Sequence, residues 1–204
     1  RRYEGERLGV SSVMTGLIVH ATQRVLGIRR PFRSKLMPSV VLLVSCAPAV
    51  AVVGLAAFLH QNDGEDIAAE ILPEYYEYYS TISLAVVLFA SFVAPEVLCT
   101  DRNSGMLSLY HASPLTRDTY LAAKAAAVVS ILLLVTMGPQ LLLLIAYTLE
   151  GQGPGGVFDF LELLGRIVAG GIAAALLPAA LSLAVSSLTP KRAFASAGIF
   201  VSLL

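Results

Sequence analysis

Residues 94–124 read APEVLCTDRNSGMLSLYHASPLTRDTYLAAK, and the fold turns on how that stretch is read. It is a long polar passage between two strongly apolar segments, entered through Pro95 and Glu96 and left through Lys124. Asp101, Arg102, Gly105, Pro114 and Arg117 are interleaved there with Met106, Leu107, Leu109, Tyr110 and Leu115. Charges that interrupt two apolar runs mark a loop outside a membrane. A short amphipathic helix breaking at Pro114 would present the loop's apolar residues to a pocket on a partner. The same residues also suit a helix lying on the membrane surface.

Outward from this stretch, the chain is overwhelmingly apolar. Of its 204 residues, 56% are hydrophobic and only 14% charged. A soluble domain carries about a quarter charged residues. Apolar runs cover 36–59, 80–98, 120–149 and 161–188, and a fifth begins at 193 and reaches Leu204. At about 1.5 Å per residue each complete run can cross a hydrocarbon core of roughly 30 Å. The expectation is one all-α transmembrane domain over 1–204, a polytopic helical bundle incomplete at its C-terminus. Glycine and proline inside the runs favour helices over a barrel. Pro139 and Pro178 are hinge candidates, because a proline inside a helix removes a backbone hydrogen bond and bends it.

Ahead of the first run, residues 10–28 place Val10, Val13, Met14, Leu17, Ile18, Ala21, Val25 and Ile28 at helical spacing. Arg24, Arg29, Arg30, Arg33 and Lys35 follow at its end. This pattern predicts an amphipathic helix in the membrane interface, or one packed on a partner. Arg166 stands four residues after Glu162, which predicts an ion pair or a side chain reaching for the interface.

Charge is segregated although the formal net charge is zero. Basic residues precede the first run, sit in the 99–117 loop and return at Lys191 and Arg192. The segment at 61–77 holds Asp63, Glu65, Asp66, Glu70, Glu74 and Glu77, and the one at 150–160 holds Glu150 and Asp159, without lysine or arginine. The positive-inside rule then puts the N-terminus and the 99–117 loop in the cytoplasm of a multi-pass protein of the cell membrane, of bacterial inner-membrane type. Tyr75, Tyr76, Tyr78 and Tyr79 would form an interfacial belt or line a substrate entrance. Glu96 would pair with Arg102 or Lys124 at the membrane surface, or relay protons.

No catalytic constellation is present in the sequence. No glycine loop followed by lysine is found that could cradle phosphate, and GQGPGG at 151–156 lies on the acidic side. His20, His60 and His111 are far apart and lack metal-ligand neighbours. Cys46 and Cys99 make no redox or metal spacing. Nothing in the charge balance points to nucleic acid. A polytopic unit of this kind uses a gradient or an external engine, so three readings stand: an ATPase-driven permease, a secondary transporter or channel, and a non-transporting assembly subunit.

The order of the motifs adds to this. PEVLCTDRNSGMLSLYHASPLTRDTYLAAKAAA, residues 95–127, resembles the signature loop of ABC-2 type permeases, the membrane subunits of one class of ATP-binding-cassette exporters. The matching positions are Asp101-Arg102, Gly105-Met106-Leu107, Leu109-Tyr110, Pro114-Leu115-Thr116-Arg117 and Ala123-Lys124. SSLTPKRAFASAG at 186–198 is similar to that family's segment between its fourth and fifth spans, and the 10–28 helix to its connecting helix. The resemblance implies a six-span half that pairs with a second permease subunit, identical or not, amid membrane lipids. It also implies a separate cytoplasmic ATPase, with ATP and magnesium bound there and no cofactor on this chain. Residues 99–117 would be the coupling loop. Met106, Leu107 and Tyr110 would be its apolar contacts and Asp101, Arg102 and Arg117 its polar ones, with Gly105, Pro114 and Leu115 in the same coupling set. The cargo and its binding residues stay unknown.

Overall fold

A computed structural model describes residues 9–28, 32–61, 78–106, 116–149 and 153–204. The described chain is helical: α1 Val10–Val25, α2 Phe32–Gln61, α3 Tyr78–Asn103, α4 Arg117–Leu149, α5 Val157–Leu188 and α6 Arg192–Leu203. Helices α2 to α5 are long and apolar enough to cross a membrane, and α6 is a shorter apolar helix. The expected spans are thus present as helices, extended at their ends by polar turns. The 33 residues of α4 reach roughly 50 Å at about 1.5 Å each, more than a hydrocarbon core of roughly 30 Å. Its first turns therefore have room to stand outside an apolar layer.

Helix α3 is the axis of the bundle, packed against α2, α4, α5 and α6. Its span is 67% buried, against 17% for that of α2. Tyr78, Ile82, Phe89 and Val93 of α3 meet Val128, Ile131 and Val135 of α4, Ala175 and Ala179 of α5, and Ile199 of α6. Small residues bring the backbones close, as helix packing without a water-driven force requires. A Cβ added at Gly171 would stand 2.5 Å from Met137 Cγ, so at this point α5 comes this close to α4 because residue 171 has no side chain.

Hydroxyls near the core reach across to neighbouring backbones. Tyr78 Oη donates to the Ser45 carbonyl at 3.0 Å, and Ser45 Oγ to the Val135 carbonyl at 3.1 Å. Tyr79 Oη donates to the Ile167 carbonyl at 2.9 Å. This corrects the expectation of an interfacial belt or entrance for these two tyrosines. Tyr78 is buried and Tyr79 partly so, because their rings fill gaps between helices and their hydroxyls find carbonyls there. Tyr75, Tyr76 and the acidic residues of 62–77 lie outside the described residues. Pro139 and Pro178 are both buried within helices assigned without a break.

Helix α1 covers the first turns of α4. Leu17 packs on Tyr120 and Ala123, with Met14 and Ile18 beside them, while Ala21 and Val25 join the main core. The middle of the predicted amphipathic face is thus engaged with this chain's own α4, while Val10 and Ile28 at its ends are exposed. The helix stops at Val25 rather than 28, because Gly27 takes φ 68°. Gly27 N–H bonds the Arg24 carbonyl and Ile28 N–H the Gln23 carbonyl, which is the Schellman arrangement that ends helices.

Candidate functional site

The two stems of the 107–115 segment, the end of α3 and the start of α4, carry the charged residues of greatest interest. Gly105, at φ 68°, ends α3, and its N–H bonds the Arg102 carbonyl. Thr116 opens α4: its Oγ1 accepts from the Thr119 N–H at 3.3 Å, with Asp118 in the first turn. Both features suit the unpaired amides and the positive end of a helix N-terminus.

Asp101 and Glu96 stand in the last turns of α3, where the helix dipole opposes negative charge. Cations from three other elements offset them. Lys124 Nζ of α4 lies 2.5 Å from Asp101 Oδ2, and Arg24 Nη1 of α1 lies 2.8 Å from Asp101 Oδ1. Tyr120 Oη donates to Asp101 Oδ2 at 3.1 Å. Glu96 Oε2 pairs with Arg192 Nη1 of α6 at 2.7 Å, and Glu96 Oε1 with Arg24 Nε at 3.4 Å. Asp101 is 0% exposed and Lys124 1%. A buried pair of this kind persists because each charge would be costly without the other.

A second set of bonds joins α3 to the corner between α5 and α6. Arg102 Nη1 donates to the Ser187 carbonyl at 2.8 Å and Asn103 Nδ2 to the Pro190 carbonyl at 3.0 Å. Arg192 also donates to Thr100 Oγ1. The corner itself is a short non-helical link, with Thr189 extended. The outcome is a charged plate at one end of the bundle to which α1, α3, α4, the α5–α6 corner and α6 all contribute.

A protein-family comparison matches residues 24–204 to the ABC-2 family transporter proteins. The chain belongs to that family. Comparisons with curated proteins and with solved structures give no match.

In this ABC-2 transporter protein the residues expected to grip a partner are placed unequally. Met106 is 41% exposed, and Arg102, Gly105 and Arg117 are exposed. Leu107, Tyr110, Pro114 and Leu115 lie outside the described residues. Asp101, expected as a polar surface contact, instead turns inward, because Lys124, Arg24 and Tyr120 draw its carboxylate into the bundle. Asp101 and Arg102 also part company, one serving α1 and α4 and the other the α5–α6 corner.

Glu96 is a correction of the same kind. Its observed partners are Arg24 and Arg192, while Lys124 goes to Asp101 and Arg102 to Ser187. Arg24, Tyr120 and Arg192 were not anticipated at this site. One signal was available: two acids at the negative end of a helix call for cations from elsewhere. The predicted Glu162–Arg166 pair is present at 2.6 Å, exposed at the other end of the bundle. Among the described residues no group of three or more His, Cys, Asp and Glu side chains is placed to hold a metal ion.

Proposed function

We propose that this chain is the membrane-spanning permease subunit of an ABC exporter, driven by a separate cytoplasmic ATPase that grips residues 99–117. Membership of the ABC-2 transporter family over residues 24–204 carries the reading. Two further features support it. The exposed Met106 follows directly on the helix stop at Gly105, so the apolar part of the segment starts at the surface. The stems on either side are held together by the Asp101–Lys124 pair, which gives a gripping partner a firm lever.

In this mechanism the ATPase subunits bind and hydrolyse ATP, and their closure displaces the segment. The bundle then changes between two packings, each favoured by different contacts, as a rigid-body or hinge transition. Pro139 and Pro178 are the proposed bending points. A second permease subunit, identical or not, completes the pathway.

The test is co-purification of the full-length protein with a co-expressed ABC ATPase, followed by ATP hydrolysis with the native loop and with Met106→Glu and Leu107→Glu. The expected result is a stable complex whose hydrolysis no longer responds to the membrane subunit once the loop is charged. Absence of any complex would move the reading to a gradient-driven transporter.

A further inference from the structure

Among the described residues, the Arg24 side chain touches both acids of α3. Its three guanidinium nitrogens go to three separate acceptors: Nε to Glu96 Oε1 at 3.4 Å, Nη1 to Asp101 Oδ1 at 2.8 Å and Nη2 to the Glu96 backbone carbonyl at 3.0 Å. The side chain is only 16% exposed. Apart from this contact, α1 is packed chiefly on α4, through Leu17 against Tyr120 and Ala123, and touches α3 less. Beside the apolar contacts of Ala21 and Val25 with the main core, the link between α1 and α3 is ionic, and it sits on the last turns before the helix stop at Gly105.

We propose that Arg24 is a positioning residue that pins α1 to the stems of the 107–115 segment, so that α1, the end of α3 and the start of α4 move as one body. The geometry needs arginine. A planar fork can hold acceptors on two turns at once, whereas a lysine offers one nitrogen to one of them. Lys124 already illustrates the difference, since its single nitrogen meets Asp101 from α4. The Schellman turn at Gly27 keeps the last turn of α1 closed around Arg24. Displacement of the segment would then be delivered to α1 as well as to α3 and α4. The consequence for transport rests on the function proposed above; the pin itself does not.

The experiment uses the full-length protein in lipid nanodiscs, with Cys46→Ala and Cys99→Ala, and spin labels on Ile28→Cys and Ser104→Cys. Both labelled positions are exposed. With Arg24 present, the dipolar distance between the labels is expected to be single and narrow. Arg24→Lys keeps the charge and should lengthen and broaden it, in protein that still elutes as a folded species. Should Arg24→Lys fail to fold, Glu96→Ala serves instead: it removes the acceptor of Arg24 Nε together with the pairing to Arg192, leaves Asp101 and Lys124 in place, and should broaden the distance to a smaller degree. A distance unchanged by these substitutions overturns the pin. A second arm adds a co-expressed ABC ATPase and a non-hydrolysable ATP analogue. The Ile28–Ser104 distance should then hold while that from Ser104 to a label on Phe158→Cys, at the far end of the bundle, changes. An Ile28–Ser104 distance that moves with nucleotide overturns the single body. Failure to bind any ATPase overturns the proposed function instead, and the first arm still decides the pin.

Discussion

Asp101 concentrates the chemistry of the basic end, since three donors from two helices converge on one buried carboxylate. Removing its charge would leave Lys124, itself 1% exposed, facing an amide. Breaking a buried pair on one side costs roughly 3–5 kcal/mol, while replacing both partners with apolar groups of similar size is often close to neutral. Asp101→Asn and Lys124→Met should each lower the thermal unfolding temperature in detergent clearly. The double change Asp101→Asn with Lys124→Met should cost less than the sum of the two single changes. A double variant as unstable as that sum would show that the two charges do not act as a pair. Sequence spacing could not have named these partners. Arg24 and Asp101 are 77 positions apart, and side chains of equal charge, Arg102 and Lys124, stood nearer to Glu96 in the chain. Which cation reaches which acid depends on how α1 and α6 fold back against α3, and periodicity carries no such information.

At the scale of the element, helix identity was legible because length and apolar composition decide it, and α2 to α5 coincide with the apolar runs. Helix ends were less so. The stop of α1 at Val25 and that of α3 at Asn103 depend on Gly27 and Gly105 adopting positive φ, and a glycine in a sequence does not declare its backbone conformation. Packing between elements was visible only as an abundance of small residues, and the structure separates those that matter. At Gly171 a Cβ would lie 2.5 Å from Met137 Cγ, whereas at Gly54 it would meet nothing within 4 Å. Gly171→Ala should therefore push α5 off α4 and cost about 1–3 kcal/mol, the usual range for overpacking. Gly54→Ala, in the little-buried α2, should be neutral or stabilise by up to about 1 kcal/mol through helix propensity. Thermal unfolding of the two variants side by side checks this, and equal effects would mean that α4 and α5 do not meet at Gly171.

For the whole molecule, the structure gathers charges of like sign that the sequence scatters. Arg24, Arg102, Arg117, Lys124, Lys191 and Arg192 belong to helix ends that the ionic contacts draw to one end of the bundle. Asp159 and Glu162 open α5 about seven turns away along the same helix from Ser187, where Arg102 docks. Arg166 is the exception in sign, and its pairing with Glu162 removes most of its weight at that end. A bundle polarised in this way should insert in one orientation, because basic residues flanking spans are retained on the cytoplasmic side. In protein carrying Cys46→Ala and Cys99→Ala, Ser104→Cys and Lys191→Cys should react with a membrane-impermeant maleimide in inverted vesicles and stay protected in intact spheroplasts. Asp159→Cys should show the opposite pattern. All three positions are exposed, so differences in reaction report sidedness rather than burial. The reverse pattern would put the stems of the 107–115 segment outside, beyond the reach of a cytoplasmic ATPase, and the proposed coupling would fall with it. Labelling from both sides would mean that the segregation of charge between the two ends does not fix a single orientation.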